Sequence, residues 1–145
     1  MTVTDYLMQQ WQWSLLALVS GSWWVVETIR ALTDRSRLTP LQATLMINQE
    51  GAVAVDVRSD SEYQSGHLPG AIFVPLERIP DDKALQKVKN RPLILYCESG
   101  ARSAVALKKL RRAGFEKVYH LVGGLVEWRK ANLPLVTSKT EKKRK

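Results

Sequence analysis

The sequence predicts an α/β domain with a mostly parallel central sheet flanked by helices, preceded by an apolar N-terminal helix. Three observations predict it. Short aliphatic runs, AVAVDVR (52–58), PLILY (92–96) and FEKVYHL (115–121), alternate with longer segments of helical periodicity. Strands separated by helices pair in parallel and are covered on both faces. The composition, 45% hydrophobic and 25% charged over 145 residues, is that of one folded domain of ordinary size. Finally, residues 6–26 carry no charge at all.

That first segment, YLMQQWQWSLLALVSGSWWVV, would rise about 30 Å as a helix, the thickness of a hydrocarbon core. Trp11 and Trp13 stand near one end and Trp23 and Trp24 near the other, as in interfacial aromatic belts. Arg30, Arg35 and Arg37 follow it, and only Asp5 precedes it, so the positive-inside bias puts the C-terminal side in the cytoplasm. In a bacterium this is an inner-membrane anchor with a cytoplasmic domain. Gln9, Gln10, Gln12, Ser14, Ser20 and Ser22 dilute the apolarity, which leaves an interfacial helix or a helix packed on the domain as alternatives. The leader MTVTD lacks the positive charge of a signal peptide. Gln10, Ser14 and Gly21 fall near one side of the helix, where another membrane protein could pack. The expected organisation is an anchor over 1–32, a linker over 33–37, the domain over 38–135 and a basic disordered tail over 136–145.

Within the domain, Thr39, Pro40 and Gln42 are a capping box with proline in the first turn, opening a helix that Gly51 stops. The run 52–58 is a buried strand, 59–66 a turn with a short helix, and 67–76 a Pro-Gly turn followed by a short strand. A helix within 79–90 starts after Asp81 or Asp82. The strand 92–96 runs into a loop containing Gly100, and a helix opens at Ser103. Its last turn carries Lys108, Lys109, Arg111 and Arg112, which suit the negative helix end before Gly114. The strand 115–121 and a closing helix within 123–134 complete the domain.

The net charge is +8, about half of it in the tail TSKTEKKRK. The tail fits a solvated end or attraction to acidic lipid. Nucleic acid is not expected as a partner, because the basic residues are not interleaved with aromatics. One cysteine excludes an internal disulfide and a multi-cysteine metal site, and the two histidines are far apart. A single free thiol suits a reducing compartment.

That cysteine, Cys97, opens CESGARS at the carboxyl end of a predicted strand, where ligands bind in parallel sheets. Backbone N–H groups and a helix N-terminus converge there and favour a thiolate. Three separated stretches, DVRSDSEYQSGHLPGA (56–71), YCESGARS (96–103) and GFEKVYHLVGGLVEWRKANLPL (114–135), resemble a single-domain rhodanese, a sulfurtransferase, in the family's order over residues 38–135. The resemblance implies an α/β domain whose catalytic cysteine lies in a loop that cradles the transferred sulfur. Cys97 matches the persulfide-forming residue, Glu98, Ser99, Gly100, Ala101 and Arg102 complete the loop, and Ser103 starts the helix.

On this reading a Cys97 thiolate takes a sulfane sulfur from a small donor, and a thiol or protein acceptor removes it. No metal and no organic cofactor is implied beyond the covalent persulfide. Amides of residues 98–102 can hold the anion if the loop curls into a nest, and Gly100 permits that curl. Arg102 either adds positive charge to the site or pins the loop through its carbonyls. Tyrosine phosphatases place five residues between a similar cysteine and arginine, whereas four intervene here, which favours sulfur over phosphate. Asp56 and Arg58 match the family's DVR and are expected to brace the loop. Glu62 and His67 match EY…GH, with His67 either a proton shuttle or a structural donor to the loop backbone. His120 and the solvated pair Arg129 and Lys130 are expected to be ordinary, and Trp128 to be core or pocket wall.

Glu98 departs from expectation. A carboxylate beside the thiol disfavours the thiolate and repels anionic donors such as thiosulfate. Facing the pocket, it points to a protein persulfide or a neutral donor; turned to solvent or paired with Arg102, it matters less. The competing function is a catalytically idle interaction module at the membrane that keeps the fold.

Overall fold

The computed structural model describes residues 2–32 and 34–144. Thr33, the expected start of the linker, lies outside them, as do the two terminal residues. The chain divides between Asp34 and Arg35 into two compact units.

The first unit is helical. Helix α1 spans Val3–Gln9 and opens on a capping box, with the Thr2 hydroxyl accepting from the Asp5 amide and the Asp5 carboxylate accepting from the Thr2 amide. Helix α2 spans Trp11–Leu32, 22 residues or about 33 Å. The single helix expected over 6–26 is therefore two. The chain leaves helical geometry at Gln10 (φ −117°, ψ 30°), and α2 continues past the apolar stretch because Glu27 and Arg30 are good helix formers. Helix α2 is long and apolar enough to cross a membrane. None of its residues is buried by the chain, and Trp23 and Trp24 are 73% and 71% exposed. Two of its hydroxyls bond within the helix, Ser22 Oγ to the Val19 carbonyl at 2.9 Å and Thr28 Oγ1 to the Trp24 carbonyl at 2.8 Å.

The second unit is built on five parallel strands: β1 Arg37–Leu38, β2 Val53–Asp56, β3 Ile72–Phe73, β4 Leu93–Tyr96 and β5 Val118–Leu121, in the order β1-β5-β4-β2-β3. Strand β1 replaces part of the expected linker. Leu38 is buried while Arg37 is exposed, and a two-residue edge strand is too short for its period to show in the sequence. Helix α3 (Pro40–Glu50) carries the expected Thr39–Gln42 capping box, and Gly51 ends it in the left-handed conformation at φ 67°. Helices α4 (Asp60–Ser65), α5 (Lys83–Lys87), α6 (Ala101–Arg112) and α7 (Gly124–Lys130) cover the sheet and its edges. Helix α6 opens two residues earlier than expected, at Ala101, because Gly100 takes the cap position. The basic tail, expected to be disordered, forms helix α8 over Ser138–Arg144. Lys, Arg and Glu have high helix propensity, and the Thr140 amide bonds the Thr137 carbonyl at 2.9 Å.

Strand alternation sorts the core into two layers. Val53, Val55, Leu93 and Leu95 point to one face with Ala106, Leu107 and Leu110 of α6. Ala54, Ile94 and Tyr96 point to the other with Leu125 and Trp128 of α7 and Ala43 of α3. Each buried aliphatic side chain is worth about 1.5–3 kcal/mol. The same alternation sends the next residue of the first set, Cys97, out of the carboxyl end of β4 on the α6 side.

Candidate active site

Cys97 is fully buried at the start of the loop that joins β4 to α6. The Gly100 amide donates to its Sγ at 2.9 Å. That contact requires the chain to turn back on itself, and Gly100 does so at φ 97°, a conformation open to glycine. A Cβ there would also press to 3.2 Å on the Gly123 amide.

A further glycine holds the loop from behind. Gly124 opens α7 at φ 54°, and a Cβ there would lie 2.2 Å from the Cys97 carbonyl. This close approach lets the Leu125 and Val126 amides bond the Cys97 and Glu98 carbonyls at 3.0 and 3.2 Å. Loop carbonyls thus satisfy the open N-terminal amides of α7, while the Gly100 amide of the same loop turns to Cys97 Sγ.

Ser103 reaches the thiol from α6, and His120 on β5 stands behind Ser103. Ser103 Oγ lies 3.8 Å from Cys97 Sγ, donates to the Gly100 carbonyl at 3.0 Å, and is 3.5 Å from His120 Nδ1. His120 is buried with Ser103 and is not the bystander that the sequence suggests. Seventeen residues separate it from Ser103, and only the parallel pairing of β4 with β5 brings them together. The hydroxyl can accept from a Cys97 thiol while donating to Gly100, or turn to donate to a thiolate.

The arginines around the loop are each paired with a carboxylate. Arg102 makes two 3.0 Å bonds to the Glu62 carboxylate rather than to a loop carbonyl, and its charge still acts on Cys97. That arginine holds the Glu62 carboxyl at about 2, below its usual 4.5, and Glu62 raises Arg102 above its own ordinary value. The pair ties α4 to the first turn of α6. Glu98 does not pair with Arg102; it accepts from Arg58 Nη1 at 3.4 Å and from Arg129 Nη1 in a close ion pair. Arg129, expected in solvent, is drawn back because the Val126–Glu98 backbone bond sets α7 beside the loop. Lys130 pairs with Glu127 at 3.2 Å.

Asp56 and Arg58 form a buried brace. Arg58 Nε and Nη2 bond the Asp56 carboxylate at 3.0 and 2.7 Å, and Nη2 also bonds the Gly66 carbonyl at 2.5 Å. The two side chains are 2% and 0% exposed, so each charge is compensated where water cannot reach. His67 bonds the Tyr63 carbonyl through Nδ1 at 2.9 Å and stacks on the Tyr63 ring at 4.0 Å, which is a structural role. Trp128 is core, and its Nε1 donates to the Pro134 carbonyl at 3.0 Å.

The described site is thus a buried thiol at the carboxyl end of the central strand of a parallel sheet, met by a backbone amide and a serine hydroxyl, inside a loop braced by glycines and ion pairs. Its amide and hydroxyl are groups that can donate to negative charge on sulfur. The family model of the rhodanese-like domain matches residues 39–131. The chain is 36% identical over 70% of its length to an uncharacterised protein of Synechocystis and spans 56% of that protein. It is 34% identical over 63% of its length to a sulfurtransferase of Allochromatium vinosum, spanning 84% of it. The solution structure of a rhodanese-like domain from Anabaena superposes with a TM-score of 0.65 at 28% identity, covering 71% of this chain and 80% of that one.

Proposed function

The chain belongs to the rhodanese-like family, and on that premise we propose that it is a membrane-tethered sulfurtransferase carrying sulfur on Cys97. The observation that carries this reading is the Cys97 thiol with the Gly100 amide 2.9 Å from Sγ and Ser103 Oγ at 3.8 Å. These are donors poised for an anion on sulfur. The sulfurtransferase relative supports the chemistry by likeness.

In the first step the Cys97 thiolate attacks the outer sulfur of the donor. A bond forms from Sγ to that sulfur, and the donor's own sulfur–sulfur bond breaks. The electron pair leaves on sulfite when the donor is thiosulfate, or on a thiolate when it is a persulfide. In the second step an acceptor thiolate attacks the terminal sulfur and Cys97 leaves as thiolate. No metal or organic cofactor takes part. The Ser103 hydroxyl turns from the Gly100 carbonyl toward sulfur as charge develops, and His120 orients it.

Helix α2 anchors the protein in the membrane, with the rhodanese-like unit on the cytoplasmic side. Its 22 residues, exposed tryptophan-rich surface and internally bonded hydroxyls support this. The basic residues after it and in the tail favour acidic lipid. Partners are a small sulfur donor and a thiol or protein acceptor.

Two measurements test the proposal. Release of the donor's leaving group in the presence of a thiol acceptor is expected to vanish in Cys97→Ser; equal release by that variant overturns the chemistry. The protein is expected to stay in the membrane fraction after an alkaline wash, and its release overturns the anchor alone.

A further inference from the structure

We infer that Glu98, held by Arg58 and Arg129, makes this site select donors of low charge, such as an alkyl persulfide, over the dianion thiosulfate. The inference rests on the sulfur-transfer reading above and names its substrate class.

Every guanidinium bonded to the loop or its flanks here is already matched by a carboxylate. Arg102 is engaged through both terminal nitrogens by Glu62. Arg58 is held by Asp56 through Nε and Nη2, and its remaining Nη1 faces Glu98. Arg129 closes on the other oxygen of Glu98. Three arginines and three carboxylates sum to zero.

The position of Glu98 makes it the decisive member of this set. It follows the nucleophile directly, and its carbonyl is fixed by the Val126 amide at 3.2 Å. Its carboxylate is 38% exposed, whereas Asp56 is wholly buried. Arg129 beside it is 50% exposed and Arg58 beneath it only 2%, so an arriving anion meets a carboxylate and a guanidinium already paired with each other. Arg58 Nη1 and Arg129 Nη1 are the donors that a sulfonate would otherwise take in the bidentate manner guanidinium groups favour. To use them, thiosulfate must displace a carboxylate that is tethered and already paired, and must shed the hydration of two charges. A persulfide presents one sulfur and at most one charge at the reacting end, so the amide and hydroxyl donors around Sγ suffice.

Sulfur loading balances without any added oxidant. Cys97–S⁻ attacks the terminal sulfur of R–S–SH to give Cys97–S–SH and R–S⁻. One sulfur–sulfur bond forms, one breaks, and the proton travels with the transferred sulfur.

The test compares thiosulfate with cysteine persulfide as donors to the full-length protein in detergent, reading second-order loading of Cys97 by intact mass. In the wild type, loading from the persulfide is expected to exceed loading from thiosulfate and to depend little on salt. Glu98→Gln frees Arg129 and the Nη1 of Arg58 and leaves a net positive rim. The thiosulfate-to-persulfide ratio is expected to rise about tenfold and to fall back as salt is added. Arg129→Gln, an exposed change that leaves the fold intact, is expected to move the ratio the opposite way, and the double variant to return it toward wild type. Opposite signs distinguish charge selection from loop disorder, which would depress both donors in both variants. A ratio unmoved by either variant, with both donors loading Cys97, overturns the inference and leaves sulfur transfer standing. Failure of both donors to load the wild type overturns the two together.

Discussion

The two units of this chain solve opposite problems with the same alphabet. In the first, α2 presents its leucines and tryptophans outward and buries none of them within the chain. In the second, leucines of equal size at 93 and 95 are fully buried between sheet and helix. The contrast teaches where each unit's order comes from. The sheet unit is held by internal packing that tolerates little change. A helix whose apolar surface faces outward takes its stability from backbone bonds and from its surroundings.

The sharpest way to break that contrast uses one glycine from each unit. A Cβ on Gly124 meets the Cys97 carbonyl at 2.2 Å, whereas nothing lies within 4 Å of a Cβ on Gly21. Gly124→Ala is expected to cost the sheet unit about 3–5 kcal/mol and to abolish Cys97 reactivity. Gly21→Ala should leave the sheet unit untouched and favour α2 by about 0.5–1 kcal/mol. Chemical denaturation followed on each variant in detergent reads both.

Next in size is the packing pair. Leu95→Ala opens a cavity in the central strand and is expected to cost about 2–5 kcal/mol, while Leu18→Ala on the exposed face of α2 should stay within about 0.5 kcal/mol in detergent. Equal losses would mean that α2 has internal packing after all.

The site can be separated from the fold by a smaller change. Ser103→Ala removes the hydroxyl 3.8 Å from Cys97 Sγ. Sulfur loading is expected to fall about tenfold, the value of one hydrogen bond to a charged group, with an unchanged denaturation midpoint. A lowered midpoint with normal loading would assign Ser103 to packing instead.

The smallest effect is electrostatic. Glu62 titrates at about 2 in the fold against 4.5 ordinarily, so its pairing stabilises the domain above pH 4.5 and is lost as pH falls toward 2. The pair is partly exposed, so the contribution is modest. Acid unfolding measured for wild type and Glu62→Gln should converge near pH 2 and separate above 4.5, with the wild type the more stable.

What was legible in the sequence followed range along the chain. The Thr39–Pro40–Gln42 cap, the run of β4 into Cys97 and the Gly100 turn are local, and each is found where its residues imply. The partners of the site are not local. Glu62 lies 40 residues from Arg102, Glu98 lies 31 from Arg129, and Ser103 lies 17 from His120. No periodicity records such pairs; strand order and helix placement decide them. Strand β1 escaped for another reason, since two residues carry no period. Gly123 and Gly124 were visible as a pair, and a GG step after a predicted strand was the one signal that could have marked the close approach to the Cys97 loop.

The most direct test of sulfur carriage is the mass of the intact chain after exposure to a persulfide donor and removal of the excess. A gain of one sulfur atom is expected, lost when a thiol acceptor is added and absent in Cys97→Ser. No gain with any sulfane donor, or a gain that persists in Cys97→Ser, would contradict it.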